Sequence, residues 1–172
     1  MDEAKKQALE FAKEHYPNFD KASLKLVKAE LEDHTDDDLK GPYGIEWRQI
    51  FETELGEVKG PCWVSVSIDP YTGELFSYNS HYDETRVSVM PKITKEEAID
   101  KVKEHLPQEG RSIRSMEEAA LVITYKDKKQ MLVWDVHVDG SFAPDSSEPE
   151  LMIADFFIVR VDAFTGEIIK PD

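Results

Sequence analysis

Few of the features that mark a disulfide-stabilised, nucleic-acid-binding or membrane protein occur in this sequence. Its 172 residues include one cysteine, so no disulfide can form within the chain, and Cys62 is expected to be a small buried residue. Lys and Arg total 21 against 36 Asp and Glu, which gives a net charge of -15. This charge disfavours binding to nucleic acid or to an anionic membrane. It is compatible with a basic protein partner, and it is also typical of an ordinary solvated surface.

Long apolar runs are missing as well. No stretch of the sequence is apolar enough to span a bilayer, and the first residues lack the apolar core of a signal peptide. As it stands, the sequence predicts a cytoplasmic protein without membrane insertion, or an extracytoplasmic one if a signal segment has been removed. It does not indicate an oligomeric state.

Motifs that would indicate catalysis or metal binding are also absent. There is no G-x-S-x-G, no H-E-x-x-H and no Gly-rich phosphate loop, so we predict no catalytic residues, no metal and no cofactor. Two acidic loops, 33–38 and 139–150, do not fit an EF-hand, and calcium binding there is left open. An enzyme or a ligand carrier would need a pocket, for example around Glu46, Asp135 and His137.

An internal repeat is the main feature that the sequence does contain. Residues 13–17 read KEHYP, and residues 103–107 read KEHLP, 90 positions later. Residues 67–75 read SIDPYTGEL, and residues 160–168 read RVDAFTGEI, 93 positions later. Matched anchors in the same order indicate that one structural unit occurs twice.

A third anchor lies between these two. Trp47 and Trp134 occupy matching positions, 87 residues apart. We therefore predict two modules, residues 1–83 and 91–172, joined by a strand-like stretch over residues 86–91. The two Trp side chains are interpreted as repeated core aromatics or, alternatively, as partner-binding residues on an exposed sheet face.

Each predicted module begins with a helix and continues with strands. The second helix has a capping box at Thr94 and Glu97 and ends at Pro107. Alternation of apolar residues predicts half-buried antiparallel strands; these are residues 24–32, 45–54, 62–69, 74–79, 118–126, 131–139, 153–162 and 167–170. The predicted fold is therefore α+β, with two repeated modules that each pack a helix on a three- to four-stranded antiparallel sheet. Phe156 and Ile158 give residues 153–162 a second apolar face, which predicts partial cover on both sides.

The repeated motif D-x-x-T-G-E predicts a tight turn. An aspartate at its head can accept backbone hydrogen bonds, and its glycine can adopt a positive φ. The structural turn residues are Asp69, Thr72, Gly73, Asp162, Thr165 and Gly166. Tyr71 and Phe164 lie at the tips of the two turns, where an aromatic side chain has little reason to be buried, and they are predicted to contact a partner or the other module.

The sequence resembles the PepSY family, named for peptidase propeptides and the sporulation protein YpeB. The residues that carry the resemblance are the helix ITKEEAIDKVKEHLP, the strand LVWDVHV and the strand and turn DFFIVRVDAFTGEII. The first half resembles the family through QALEFAKEHYP, IEWRQIFET and VSVSIDPYTGEL. A tandem pair is also similar to the YcdB/YcdC repeat proteins of Bacillus-type bacteria. The resemblance implies a helix on a small antiparallel sheet, a role in inhibiting or tuning proteases, and no catalytic residues.

Two functions follow as expectations. The first is a non-catalytic module that inhibits or regulates a peptidase or another protein partner by steric contact. The alternative is a cytosolic immunity or adaptor protein unrelated to proteases, which the acidic composition and the lack of an export signal also favour. Tyr71, Phe164, Trp47 and Trp134 are the candidate partner-binding residues in either case.

Overall fold

The structure is a computed structural model that describes residues 2–32, 40–142 and 153–169. The described residues form two α-helices and eight β-strands. In chain order these are α1 (Asp2–His15), β1 (Leu24–Leu31), β2 (Tyr43–Thr53), β3 (Gly56–Ile68), β4 (Leu75–His81), α2 (Lys95–His105), β5 (Arg111–Lys126), β6 (Lys129–Phe142), β7 (Ile153–Asp162) and β8 (Ile168–Ile169). The stretch at residues 86–91, predicted to be strand-like, has no regular secondary structure.

All eight strands belong to one mixed sheet, in the order β1-β2-β3-β5-β6-β7-β8, with β4 also paired to β3. β3 and β5 run parallel, with Val58 opposite Leu121 and Lys59 opposite Val122. The predicted fold, two repeated modules that each have their own antiparallel sheet, is therefore wrong. The physical reason is the length of β3, whose 13 residues continue past the part that pairs with β4. The backbone groups of this extra length form hydrogen bonds with β5 rather than with water.

The chain divides into two compact units, Met1–Ile50 with Gly60–Thr85, and Phe51–Lys59 with Arg86–Asp172. These units differ from the predicted modules because residues 51–59, at the turn between β2 and β3, belong to the second unit.

In the first unit, α1 packs on the sheet through three buried alanines, whose small side chains allow the helix to approach the strands closely. Its core also contains Ile45, Trp47, Cys62, Val64, Val66 and Ile68. Cys62 is buried, as its neighbours in the sequence predict, and its thiol donates a hydrogen bond to the carbonyl of Asp83 at 3.1 Å. The Tyr16 hydroxyl donates to the carbonyl of His81 at 2.9 Å, and burial raises the pKa of Tyr16.

In the second unit, α2 begins with the predicted capping box. The Thr94 hydroxyl accepts a hydrogen bond from the Glu97 N–H, and the Glu97 carboxylate accepts one from the Thr94 N–H. The buried face of the helix packs against β5, β6 and β7. The core of this unit contains Val58, Ala98, Val102, Leu106, Leu121, Leu132, Trp134, Val136, Val138 and Val161.

Candidate interaction surface

The turn after β3 is organised by Asp69. Its Oδ1 accepts hydrogen bonds from the N–H groups of Tyr71 and Thr72, both at 2.8 Å. These bonds, that from Thr72 first, lower the pKa of the Asp69 carboxyl because they favour its charged form. The Asp69 N–H donates to the carbonyl of Glu74 at 2.8 Å, and the Gly73 N–H donates to the carbonyl of Asp69 at 3.0 Å. Gly73 has a φ of 73°, which a residue without Cβ adopts at little cost.

The turn after β7 has the same hydrogen bonds. Asp162 Oδ1 accepts from the N–H groups of Phe164 at 2.8 Å and Thr165 at 2.9 Å. The Asp162 N–H donates to the carbonyl of Glu167 at 2.8 Å, and the Gly166 N–H donates to the carbonyl of Asp162 at 2.9 Å. Gly166 has a φ of 75°. The six predicted turn residues therefore lie in two turns of one design.

A groove lies between the helix and the turn in each unit. In the first unit it is lined by Gln7, Glu10, Phe11, Glu14, Ile68, Gly73 and Leu75. In the second unit it is lined by Ile93, Glu97, Asp100, Lys101, Glu104, Thr165 and Gly166. The four helix positions of one groove lie 90 residues before the four of the other, which is the offset of the sequence repeat. Each unit thus uses equivalent positions of its helix and its turn for this groove.

The aromatic residues at the two turn tips differ in exposure. Tyr71 is 63% exposed, and its hydroxyl accepts a hydrogen bond from the N–H of Lys40 at 2.8 Å. Phe164 is partly buried and packs against the core of the second unit. Of these two candidate partner-binding residues, Tyr71 therefore offers the larger free surface.

The two repeated Trp side chains lie in the cores. Trp47 is buried and makes an edge-on contact with Phe19, with ring centroids 5.8 Å apart. Trp134 is buried, and its Nε1–H donates a hydrogen bond to the carbonyl of Ile93 at 3.1 Å. Their burial leaves little surface for a partner to contact.

A more exposed apolar surface lies on β7. Val159 and Val161 of this strand are buried on the side of α2. Phe156 and Ile158, which have the opposite parity, lie on the other side of β5–β7, here called the outer face, and are 77% and 49% exposed. The sequence predicted partial cover for these two side chains. The structure leaves them exposed instead, as a local apolar patch.

A first cleft of about 300 Å³ opens beside this patch. It is lined by His137, Val138, Asp139, Phe156, Phe157 and Ile158. Arg114 Nη2 lies 2.7 Å from Asp139 Oδ1, so the charge of this carboxylate is compensated. The remaining lining is largely aromatic and aliphatic, which suits the burial of an apolar side chain.

A second cleft of about 240 Å³ lies on the α2 side of β7. Its apolar lining consists of Leu106, Phe157, Ile158, Val159, Ile168 and Ile169. Arg111 lies on its rim, with the guanidinium carbon 4.5 Å from the centre of the Phe157 ring, at the distance of a cation–π contact. His105 Nε2 and Glu109 Oε1, also on the rim, are 3.1 Å apart. The second cleft is thus an apolar slot with polar groups at its mouth.

The two clefts lie beside the edge of β7 that pairs with β8. β6 pairs with β7 along the full length of β7, whereas β8 pairs only with Arg160 and Val161. Within the described ranges, no strand pairs with residues 153–159 on the β8 side. An unpaired strand edge presents backbone N–H and C=O groups that can bind another chain.

The acidic residues that would mark an active site are divided between the units. Asp135 is largely buried, and Arg160 donates from Nε to its Oδ1 at 3.2 Å. Burial raises the pKa of Asp135, while Arg160 and then His137 favour the charged carboxylate. Glu46 belongs to the first unit and pairs there with Arg48 at 2.7 Å. Asp135 is therefore held by a neighbouring cation, and Glu46 belongs to a different ion pair.

The described residues contain no side-chain group suited to a metal ion and no helix suited to crossing a membrane. Among residues 2–32, 40–142 and 153–169, no group of three or more His, Cys, Asp or Glu side chains could hold a metal ion. The acidic loop at 33–38 and residues 143–150 of the second loop lie outside the described residues. Neither described helix is long and apolar enough to cross a membrane.

The segment that contains this surface matches a known protein family. Residues 92–170 match the family model of PepSY, the peptidase propeptide and YPEB domain. The PepSY match contains the residues that line both clefts. PepSY domains are often regulatory or propeptide-like modules related to peptidases, they generally interact with proteins, and the match indicates no catalytic family. The predicted resemblance is confirmed for this PepSY segment, whereas the tandem pair and the likeness to YcdB/YcdC proteins stay predictions.

Two solved structures are similar to the chain. One is the YpeB C-terminal domain of Bacillus megaterium, with 19% sequence identity and a TM-score of 0.49; the alignment covers 98% of this chain and 62% of that one. The other is a predicted lipoprotein from Clostridium difficile 630, with 14% identity and a TM-score of 0.31, over 96% of this chain and 90% of that one. This chain thus spans less than two thirds of the YpeB domain. No functionally curated protein matches the sequence.

Proposed function

We propose that this chain is a non-catalytic module that inhibits or regulates a peptidase, or another protein partner, through the outer face of β7. The observation that supports this most directly is the exposure of Phe156, at 77%, and of Ile158, at 49%, within the PepSY segment. Burying apolar surface contributes roughly 25 cal/mol per Å², so two such side chains are a favourable centre for an interface. Exposed apolar clusters on a folded protein often mark contact sites of this kind.

The mode of action that we propose is steric. A sheet face is rigid because its strands are cross-linked by backbone hydrogen bonds, so it can occupy a cleft of the partner without being reorganised. The net charge of -15 would accelerate association with a partner that has a basic rim.

We further propose that the first unit is a second PepSY-like module. The matching turns at Asp69 and Asp162 and the matching helix–turn grooves support this proposal. The first unit then contributes Tyr71 as an additional contact at its turn tip. Both units contribute strands to the one mixed sheet.

The test is a titration of the purified chain against thermolysin-type metallopeptidases, starting with any encoded beside its gene. Hydrolysis of a fluorogenic peptide reports inhibition, and size-exclusion chromatography reports a complex. We expect a stable complex in which the module is not consumed. Replacing both Phe156 and Ile158 by Ala should weaken binding about 10- to 100-fold, because truncated interface anchors typically cost about 1.4 to 2.8 kcal/mol.

Phe76→Ala is the matched control, since Phe76 is a comparably exposed phenylalanine, at 65%, in the first unit. It should leave inhibition unchanged. Full inhibition by the Phe156 and Ile158 double variant would contradict the proposed surface.

The alternative, an immunity or adaptor protein unrelated to proteases, is supported by the charge of -15, which suits a basic partner such as a toxin domain. Binding to a basic non-peptidase encoded beside the gene, with no complex formed by any peptidase, would favour it. In both cases the outer face of β7 is the surface that we expect to be buried.

A further inference from the structure

We propose that the first unit binds an extended segment of a partner protein beside its turn, in the place that residues 86–93 take in the second unit. The segment would carry an apolar side chain flanked by basic residues. This inference rests on the equivalence of the two units, which is one part of the proposed function, and it is independent of the outer face of β7.

Residues 86–93, here called the covering segment, lie against the core and the turn of the second unit. The apolar side chains that pack against this core are those of Val87, Val89 and Ile93. The N–H groups of Lys92 and Ile93 donate to the carbonyl of Ala163, at 2.8 and 3.2 Å. The carbonyl of Ile93 accepts the hydrogen bond from the Nε1–H of Trp134. The covering segment thus provides partners for one carbonyl of the turn and for one buried indole.

The equivalent groups of the first unit have no such partners. By the offsets of the sequence repeat, Ala163 corresponds to Pro70 and Trp134 corresponds to Trp47. Within the described residues, neither the carbonyl of Pro70 nor the Nε1–H of Trp47 forms a hydrogen bond. Trp47 is nevertheless only 6% exposed, and a buried indole N–H usually has an acceptor. A backbone carbonyl placed as that of Ile93 is placed in the second unit would supply one.

The first unit does not fill this place with its own equivalent residues. Lys92 and Ile93 correspond to Asp2 and Glu3 by the offset of 90, and these two residues belong to α1. In the second unit the helix begins only at Lys95, so the covering segment stays extended up to the helix cap. The helical Asp2 and Glu3 cannot run along the turn as the covering segment does.

The turn of the first unit is correspondingly less covered. A Cβ added at Gly166 would lie 3.8 Å from Cδ1 of Ile93, whereas a Cβ added at Gly73 would meet no atom within 4 Å. Phe164 is partly buried, whereas Tyr71 is 63% exposed. The first unit therefore has space for an apolar side chain where the second unit holds Ile93.

The groove beside this turn selects the charge of the segment. The apolar side chains that line it are Phe11, Ile68 and Leu75. Glu10 and Glu14 add two carboxylates, and none of the lining residues carries a positive charge. The covering segment itself contains Arg86 and Lys92. A segment with basic residues beside an apolar side chain therefore complements the groove.

The occupant that these observations favour is a different protein. A second copy of this chain would have to release its own covering segment from the core of its second unit and break the bonds with Ala163 and Trp134. A partner with a free segment of the same chemistry has no such cost.

The test uses the full chain, labelled with 15N, and a peptide with blocked ends and the sequence of residues 86–93. The indole N–H signals of Trp47 and Trp134 are assigned and followed during the titration. We expect the peptide to shift the Trp47 signal and to slow its hydrogen exchange. The Trp134 signal should stay unchanged, because the second unit already holds its own covering segment.

Control peptides test the chemistry of the segment. One carries Ile93→Asp, and another carries Arg86→Glu with Lys92→Glu. Both should bind much more weakly, because the first loses the apolar side chain and the second meets the carboxylates of the groove with like charge. Equal binding by either control peptide would contradict the proposed occupant.

Matched charge variants of the chain separate the two grooves. Glu10→Gln with Glu14→Gln neutralises the groove of the first unit, and Asp100→Asn with Glu104→Gln neutralises the equivalent positions of the second. All four side chains are exposed, so both variants should fold. The first variant should bind the peptide about fivefold more weakly, as the loss of two exposed charge contacts implies. The second variant should bind it unchanged.

Several results would overturn this inference. A Trp47 indole as protected in the free chain as that of Trp134 would show that the position is already covered. A shift of the Trp134 signal instead of the Trp47 signal would show that the peptide only displaces the covering segment. A Trp47 signal that changes with protein concentration alone would indicate a second copy.

The outcome is distinguishable from that of the proposed function. If the peptide leaves Trp47 unaffected while the Ala double variant at Phe156 and Ile158 lowers peptidase inhibition, this inference fails and the outer face of β7 stands. If the peptide binds at Trp47 and no peptidase is inhibited, this inference stands and the inhibitory role fails.

Discussion

Val58 of β3 lies opposite Leu121 of β5 in the parallel part of the sheet, and both side chains are fully buried in the core of the second unit. Val58 nevertheless lies in the first half of the sequence, in a short segment between the two segments that form the first unit. The second unit is therefore built from two separate segments of the chain. A boundary drawn at one point of the sequence cannot reproduce this arrangement.

Truncation of Val58 should destabilise the protein. Val58→Ala removes two buried methyl groups and leaves a cavity beside Leu121, so we expect the free energy of unfolding to fall by about 1–3 kcal/mol. Urea denaturation followed by Trp fluorescence measures the change. Val27→Ala is the matched control, because Val27 is a half-exposed valine of β1 and its truncation should cost less than about 0.5 kcal/mol. Equal costs at the two valines would contradict the burial of Val58 in a core.

The turn glycines should tolerate asparagine better than alanine. Gly73 and Gly166 have φ values of 73° and 75°, and an added Cβ would meet no atom within 4 Å at Gly73 and ordinary contacts at 3.8 Å at Gly166. The cost of Ala is therefore one of backbone conformation, about 1–2 kcal/mol at each turn. Asn visits the left-handed region more readily and should cost less. Thermal unfolding of the four single variants measures these differences; equal stability of the Ala and Asn variants would show that the turns do not depend on a positive φ.

Local features of the fold could be predicted from the sequence because their causes are local. The capping box at Thr94 depends on residues within one helical turn, and the bonds of Asp69 reach no farther than Glu74. The predicted strand at 153–162 coincides with β7, because the alternation of apolar residues that predicts a strand lies within the strand itself.

The pairing of strand ends could not be predicted in the same way. Val58 is paired with Leu121, which lies more than sixty positions later in the sequence. The periodicity of apolar residues within a strand does not predict which strand it pairs with. For the same reason the sequence could not show whether the two predicted sheets form one continuous sheet.

The sequence predicted cover for Phe156 and Ile158, whereas the structure leaves both side chains exposed. A strand with apolar residues on both faces is usually covered on both, and this rule predicted cover for Phe156 and Ile158. The structure leaves Phe156 and Ile158 exposed on the outer face of β7, which is why we propose this face as a contact surface. Conversely, the sequence left both Trp47 and Trp134 open as contact residues, and they are buried.

The stability of the second unit should depend on pH through Asp135. Burial raises the pKa of this carboxyl in the folded protein, so the group stabilises the fold below its unfolded pKa, and this contribution is lost as the pH rises through the folded pKa. Asp135→Asn, which resembles the protonated acid, should therefore gain stability relative to the unmodified chain as the pH is raised from about 3 to about 7. Urea denaturation at several pH values measures the difference.

Arg160 provides the control, because it favours the charged form of Asp135 and therefore lowers a pKa that burial raises. Arg160→Gln should destabilise the unmodified chain at neutral pH, where Asp135 would be left with a buried and less compensated charge. The same substitution in the Asp135→Asn background should cost much less, since no carboxylate remains to be compensated. If Asp135→Asn instead loses more stability at neutral pH than in acid, the attraction of Arg160 outweighs the cost of burial, and the folded pKa of Asp135 must lie below its unfolded value.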